Sequence, residues 1–391
     1  MESPPALGDL GGGDNNYQLL TINYQLLKMF SSKQKPLPTA KLQPQVNRNA
    51  IAPIPQSGIL LGENCYLDFE KLSNPHGAVI GASGSGKTQF LKALALECVR
   101  QYGISIIIID FHGDQSLPGE TVYQLHASSP VGINPLVIDL SPTGGGPNLQ
   151  AIAVANSFTS ALRMGPNQQG LLIDLLLNCY EQMGITNSPN SWHLSPPNLS
   201  NLENELISRI SDGCKESSRL VLKLKATFEY GIFSRNQPSL FKNPITRIDL
   251  SELAKVPGLQ AIAAETVCKQ LIDHHRLLGE HKSKIPSRII FIDECKELKG
   301  QRTPDRIIAD GRKYGLGLWV ASQRSQHLSP EILSNTQSKI ILPVDSTDVT
   351  ATAKKFRFHD LQIAQLEPLN ALIRLGSDSF KIRIKPYYER I

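Results

Sequence analysis

The chain has 391 residues, 40 Lys+Arg against 35 Asp+Glu, and a formal net charge of +5; 40% of it is hydrophobic and 19% charged. That length allows two or three domains, or one large domain with an insertion, and the composition excludes a wholly disordered, collagenous or fibrous chain. Residues 301–391 hold 14 Lys+Arg and 9 Asp+Glu, an excess that equals the whole net charge; it suits an anionic partner and equally a bland basic surface.

No apolar stretch approaches the ~18–20 residues needed to cross a bilayer. The opening MESPPALGDLGGGD has neither the basic region nor the apolar region of a secretory signal. The expectation is a cytoplasmic protein without membrane insertion. The six cysteines are scattered, Cys268 and Cys295 being the nearest pair in sequence, which suits a reducing compartment and leaves no CxxC clip.

In chain order, residues 1–55 read as a flexible arm, with Gly11–Gly13 and a polar stretch from Ser31 to Pro55 that buries too little to offset its ordering entropy. One island recurs at a shift of seven: Asn16-Tyr-Gln-Leu-Leu20 and Asn23-Tyr-Gln-Leu-Leu27, which puts Tyr17, Leu20, Tyr24 and Leu27 on one helical stripe. It is either a short helix lying on the protein's own surface or a docking helix for a partner. From about residue 58, strands alternate with helices. Ala78–Ile80, Ser105–Ile109, Ile289–Ile292, Leu316–Ala321 and Ile340–Pro343 read as strands of a parallel sheet with helices on both faces. Residues 141–245 read as an all-helical insertion, with helices over 148–163, 167–183, 200–211 and 215–230. The α/β domain is then 56–140 plus 246–391, and a further helix covers ~258–278 and stops at Gly279.

Gly81-Ala-Ser83-Gly84-Ser85-Gly86-Lys87-Thr88 matches GxxxxGK[ST] between an apolar strand and an amphipathic helix. Glycines let backbone N–H groups turn inward around phosphates, and the helix adds its positive end. Gly81, Ser83, Gly84, Ser85, Gly86, Lys87, Thr88 and Gln89 form the expected ATP-binding set, with Lys87 on the β- and γ-phosphates and Thr88 on Mg²⁺. Ile289–Ile292 runs into Asp293 and Glu294. Asp293 is placed to join Thr88 at the Mg²⁺, and Glu294 to polarise an attacking water as general base. Gln323, after the strand Leu318–Ser322, either senses the γ-phosphate or is a satisfied strand-end amide. Arg312 and Lys313 are candidate cations for a γ-phosphate, though Arg-Lys is more commonly a solvated surface pair.

These segments, with Gly311-Arg-Lys-Tyr-Gly-Leu-Gly-Leu-Trp-Val-Ala-Ser-Gln-Arg-Ser-Gln-His-Leu-Ser-Pro-Glu-Ile-Leu-Ser334 as the most specific, resemble the HerA/FtsK superfamily of P-loop motors, nearest to HerA and the TraD/TrwB-type coupling ATPases. Asp110-Phe-His-Gly-Asp114 is similar to that family's D-x-x-G-D/E. The likeness covers about 58–140 and 246–385. It implies an α/β RecA-like fold, a homohexameric ring and ATP-driven movement of DNA through its pore. It gives Lys87, Thr88, Asp293 and Glu294 the Walker roles, Gln323 the γ-phosphate sensor and Arg312 the trans arginine finger, with Lys313 second. The first 55 residues cannot form HerA's N-terminal barrel, and the membrane helices and winged helix of other members have no counterpart. Two alternatives stand beside the DNA motor. One is a nucleotide-dependent ring that binds and activates an effector such as a nuclease, through the N-terminal segment. The other is a soluble ATPase of a conjugation or secretion system.

DNA contacts are less marked. Lys296, Lys299, Arg302 and Arg306 follow the Walker B acid in what is either a pore loop or a solvated turn. Lys381, Arg383 and Lys385 alternate along Phe380–Lys385 as either a phosphate track or a charged edge strand. Asp273-His274-His275 is not expected to bind metal, because adjacent helical histidines point to different faces.

Overall fold

The computed structural model describes residues 57–391; the Asn-Tyr-Gln-Leu-Leu pair lies outside the described residues. Eleven strands are seen there. β1 (Ile59–Gly62) and β2 (Cys65–Leu67) make a small antiparallel hairpin. The other nine form one sheet: β3 (Gly77–Ile80), β4 (Ser105–Asp110), β5 (Thr121–Gln124), β6 (Ile245–Asp249), β7 (Arg288–Ile292), β8 (Leu316–Ser322), β9 (Ser338–Ile341), β10 (Asn370–Leu375) and β11 (Asp378–Arg383). Its order is β11-β10-β9-β3-β8-β7-β4-β6-β5. From β9 to β5 every pairing is parallel, and β10 and β11 add an antiparallel edge.

The central strands are short apolar runs buried on both faces. β4 reads Ser-Ile-Ile-Ile-Ile-Asp, and every residue of β7 and β8 is buried. β-branched side chains suit that setting because their restricted χ1 fits the pleat. Alternation sorts the strand side chains between two layers. Ile107 and Ile109, Ile290 and Ile292, and Leu318 and Val320 join the main core. On the opposite face Trp319 is wholly buried, stacked on Phe291 and tilted against Phe90, with its indole N–H donated to the Pro75 carbonyl at 3.0 Å. A Cβ on Gly77 would lie 2.5 Å from that indole, so the strand approaches the ring only because residue 77 has no side chain.

Phe90 belongs to α1 (Lys87–Tyr102). Between β5 and β6 the chain is helical: α2 (Pro147–Leu162), α3 (Pro166–Gln182), α4 (Leu199–Ser211) and α5 (Lys215–Tyr230). α6 (Leu259–Leu278) follows β6, and short helices α7 (Thr303–Asp310), α8 (Pro330–Asn335), α9 (Val349–Phe356) and α10 (Asp360–Ala364) complete the described chain. Phe158, Leu176, Leu224 and Leu271 share one continuous core with Ile107 and Ile109. The helices between β5 and β6 therefore share one core with the sheet. No helix among the described residues is long and apolar enough to cross a membrane.

Candidate active site

The registers bring four strand ends to one edge of the sheet. Ile80 pairs with Ser322, Ile292 with Val320 and Ile109 with Ile292. Gly81, Gln323, Asp293 and the loop after Asp110 thus leave neighbouring strands together. Gly81 N–H donates to the Ser322 carbonyl at 3.2 Å and Glu294 N–H to that of Ala321 at 3.2 Å, tying the three loops to one another.

Residues 81–86 form the turn, and Lys87, Thr88 and Gln89 open α1. Gly84 and Gly86 have φ of +76° and +105°, conformations that an L side chain resists. Ser83 and Gly84 are exposed, whereas Ser85 is buried. The Lys87 ammonium closes over its own loop, donating to the carbonyls of Gly81 at 2.7 Å and Ala82 at 2.9 Å. Burial pulls its pKa down, opposed by the charges of Asp293, Glu294 and Asp114. The Thr88 hydroxyl meets an Asp114 carboxylate oxygen at 3.5 Å.

Asp293 is buried and accepts one hydrogen bond, from Gln115 Nε2 at 2.6 Å. The same amide reaches Asp114 at 3.1 Å. Burial pushes the Asp293 carboxyl up to about 6; Asp114 and Glu294 add to that, and Lys87 and His112 oppose it. Glu294 is 2% exposed and sits in the left-handed region at φ +76°, a strain of about 1–3 kcal/mol for a side-chain-bearing residue that is met mostly at functional sites. Its two oxygens are held by Gln323 Nε2 at 2.9 Å and Ser322 Oγ at 3.4 Å, and Ser322 Oγ lies 2.9 Å from His327 Nδ1.

The donor set fits Mg²⁺ and a phosphate chain. Thr88 and Asp293 would supply hard oxygen ligands, and at Asp293 the like charges of Asp114 and Glu294 are opposed by Lys87 and His112. Ser85 Oγ in the turn and Gln89 Oε1 in the first turn of α1 are buried without a partner among the described residues, and buried polar atoms are ordinarily satisfied.

Arg312 stands apart. It lies in a 3₁₀ turn (Gly311–Tyr314) before β8, whereas Gln323 follows that strand. Six residue rises separate the ends of β8, about 20 Å. Arg312 is exposed and makes no ion pair among the described residues; its charge is felt by the buried His76 just before β3. Burial, then Arg312, pull that imidazole down to about 3. Lys313 is engaged elsewhere, with Glu280 at 2.9 Å and the Tyr314 ring.

Several residues of consequence carry no motif. Gln115 bridges two acids from separate strands. Arg247 on β6 is bound by Asp110 at 3.1 Å, Glu120 at 3.0 Å and Asp249 at 3.2 Å. Asp110 also accepts the N–H groups of His112, Gly113 and Gln115, which shapes the loop that presents Asp114 and Gln115.

The candidate DNA contacts scatter. Lys296 lies 4.0 Å from Glu294, Arg302 and Arg306 border a cleft between α2 and α6, and Lys381 and Arg383 occupy the edge strand, where Arg383 pairs with Glu389 at 3.2 Å. In the Asp-His-His run, Asp273 pairs with Lys269, His274 stacks on Phe241, and His275 meets the Tyr314 carbonyl. No group of three or more His, Cys, Asp or Glu side chains that alone could hold a metal occurs among the described residues; Thr88 and Asp293 would need phosphate oxygens and water to complete a Mg²⁺ shell.

Known proteins share this architecture. The family described as "Helicase HerA, central domain" matches residues 58–141. The "DNA import protein CedB" of Sulfolobus acidocaldarius is 24% identical over 93% of this chain and 60% of its own length. The "DNA double-strand break repair helicase HerA" of the same organism is 26% identical over 73% and 59%. The chain thus spans about three fifths of these relatives. Among solved structures, VirB4 of Thermoanaerobacter pseudethanolicus superposes with a TM-score of 0.74 at 19% identity, covering 86% of this chain and 98% of the solved chain. The conjugative coupling protein TrwB gives 0.60 at 15%, covering 84% and 90%. In fold the chain is a RecA-like P-loop protein, and in the order of its motifs it is similar to proteins of the HerA/FtsK type.

Proposed function

We propose that the chain is a Mg²⁺-dependent ATPase that works as a homohexameric ring to translocate or remodel DNA. Lys87 and the loop amides hold the phosphates, and Thr88 and Asp293 would hold the Mg²⁺ that offsets phosphate charge. Glu294 takes a proton from the attacking water, and Gln323, already bonded to Glu294, orients that water against the γ-phosphate. The observation that supports the ring is the place of Arg312: about 20 Å of β8 separates its turn from the chain's own site, so a γ-phosphate that it reached would belong to a neighbour. The relatives named as a DNA import protein and as DNA repair helicases support DNA as substrate. Residues 141–245 are then an insertion in a motor domain made of 56–140 and 246–391.

The test is ATP turnover with and without duplex DNA, on protein sized by light scattering. DNA should raise the rate of a ring-sized species, binding should weaken steeply with salt, and Lys87→Ala and Glu294→Gln should each abolish turnover. Normal turnover in either variant sinks the site. Turnover by an assembled ring that DNA never stimulates sinks the DNA motor and favours a nucleotide-dependent platform for an effector.

A further inference from the structure

Two cations face each other where the parallel sheet meets its antiparallel edge. Lys339 of β9 and Arg374 of β10 are direct cross-strand partners. Such partners leave the same face of a sheet, and like charges set opposite one another are destabilising. Together with Lys355 and Arg357 they line a cleft of about 420 Å³ that has no acidic residue in its wall. Among the described residues none of these four cations enters an ion pair.

The cations are built in. Arg374 donates to the Arg357 carbonyl at 2.6 Å and to Ser379 Oγ at 3.4 Å, and lies 4.9 Å over the Phe358 ring. Arg357 ends α9 in the left-handed region at φ +58°, so a strained residue turns the carbonyl that holds the guanidinium. Lys355 donates to the Ser325 carbonyl at 2.8 Å. Lys339 is half-buried, and burial followed by Arg374 and Arg357 pulls its ammonium down. A guanidinium fixed through Nε and Nη2, beside a lysine point charge, is a donor set that recognises phosphate oxygens.

We propose that this cleft is a second phosphate site, distinct from the nucleotide site. Lys339 pairs with Ala78, near the start of β3, whereas the phosphate loop leaves the end of that strand. The proposal therefore does not depend on the roles given to Lys87 or Glu294. The ligand is a phosphate group, either free or in a nucleic-acid backbone. Lys381 of β11 extends the cation row: it pairs with Leu372, which shares a face with Arg374, and it is exposed.

The test uses the full chain carrying Lys87→Ala, in EDTA, so that the phosphate loop contributes least. Inorganic pyrophosphate is titrated by calorimetry, and a labelled DNA duplex by anisotropy at two salt concentrations. Lys339→Gln and Arg374→Gln should each weaken pyrophosphate about tenfold, the scale of a charged hydrogen bond. Lys354→Gln removes an exposed charge outside the cleft wall on the same helix as Lys355 and should change affinity less than about twofold. Parallel loss of DNA affinity, with a salt slope smaller by about one, identifies a nucleic-acid backbone as ligand; loss of pyrophosphate alone identifies free phosphate. No effect, or an equal effect of Lys354→Gln, overturns the site. Melting supplies an independent readout: without anion Lys339→Gln should melt at or above the parent protein, and the parent should gain more than the variant from the same pyrophosphate concentration. A variant that melts well below the parent without anion would show a structural lysine and overturn the proposal.

Discussion

Asp293→Asn asks whether the acid at the end of β7 is destabilised until a cation arrives. In the metal-free protein its carboxyl is pushed from an ordinary 3.8 to about 6, by burial first and then by Asp114 and Glu294. A raised acid pKa means that the folded state holds the proton more tightly than the unfolded state. Between pH ~4 and ~6 the unfolded chain releases a proton that the folded one keeps, so stability falls as pH rises through that window. Below it the penalty is absent and above it the penalty is complete. Two pKa units at 1.36 kcal/mol each give about 3 kcal/mol. Asn retains an acceptor for Gln115 Nε2, now 2.6 Å from the carboxylate, and removes the charge. In EDTA at pH 7.5, urea unfolding should find Asp293→Asn more stable by up to about 3 kcal/mol, and near pH 4 the two proteins should coincide. Mg²⁺ with nucleotide should reverse the order at pH 7.5, because the parent protein alone offers the carboxylate. An Asn variant less stable in EDTA at pH 7.5, or an advantage that persists at pH 4, would refute the reasoning.

Arg312→Ala should leave ATP binding intact and slow hydrolysis by roughly 10³-fold or more, the range measured for arginine fingers. Mixing it with Lys87→Ala should restore some turnover, since one subunit then supplies the finger and its neighbour the loop; no restoration would place the arginine's effect within one chain. Arg247→Gln should destabilise the fold by about 3–5 kcal/mol in urea, because it strands Asp110, Glu120 and Asp249 in the interior. A loss below about 1 kcal/mol would mean that the network is worth no more than a surface pair.

What the sequence made legible was local. The phosphate loop needs glycines at fixed offsets, and the apolar runs before Gly81, Asp293 and Gln323 need only their own composition to read as buried strands. The long helices were equally plain from their periodicity. β6 was not: Ile-Thr-Arg-Ile-Asp is buried throughout, yet carries an arginine and an aspartate. Those polar residues are tolerated because Glu120 and Asp110, 127 and 137 residues away, complete the ion network, and no short window contains that pairing. β5 was hidden for a related reason: Thr121–Gln124 is half-exposed at the sheet edge and lacks the apolar run of an inner strand. Gln115 owes its place to a partner 178 residues distant, so its amide carries no signal at all in sequence.

The same distinction sorts the acids that end the strands. By sequence Asp110 and Asp293 are alike, each a carboxylate closing an isoleucine-rich run. In the fold Asp110 is saturated: three backbone N–H groups and the Arg247 guanidinium occupy its oxygens. That makes it an organiser of the 111–115 loop, and one with little left to offer a ligand. Asp293 receives a single side-chain amide and stands among like charges, with its carboxyl pushed toward neutrality. A carboxylate is comfortable when buried only if its lone pairs and charge are met. Of the two, therefore, Asp293 is the one whose environment calls for a cation, and the Thr88 hydroxyl, next to Lys87 at the start of α1 and beside Asp114, is the second ligand such a cation would find.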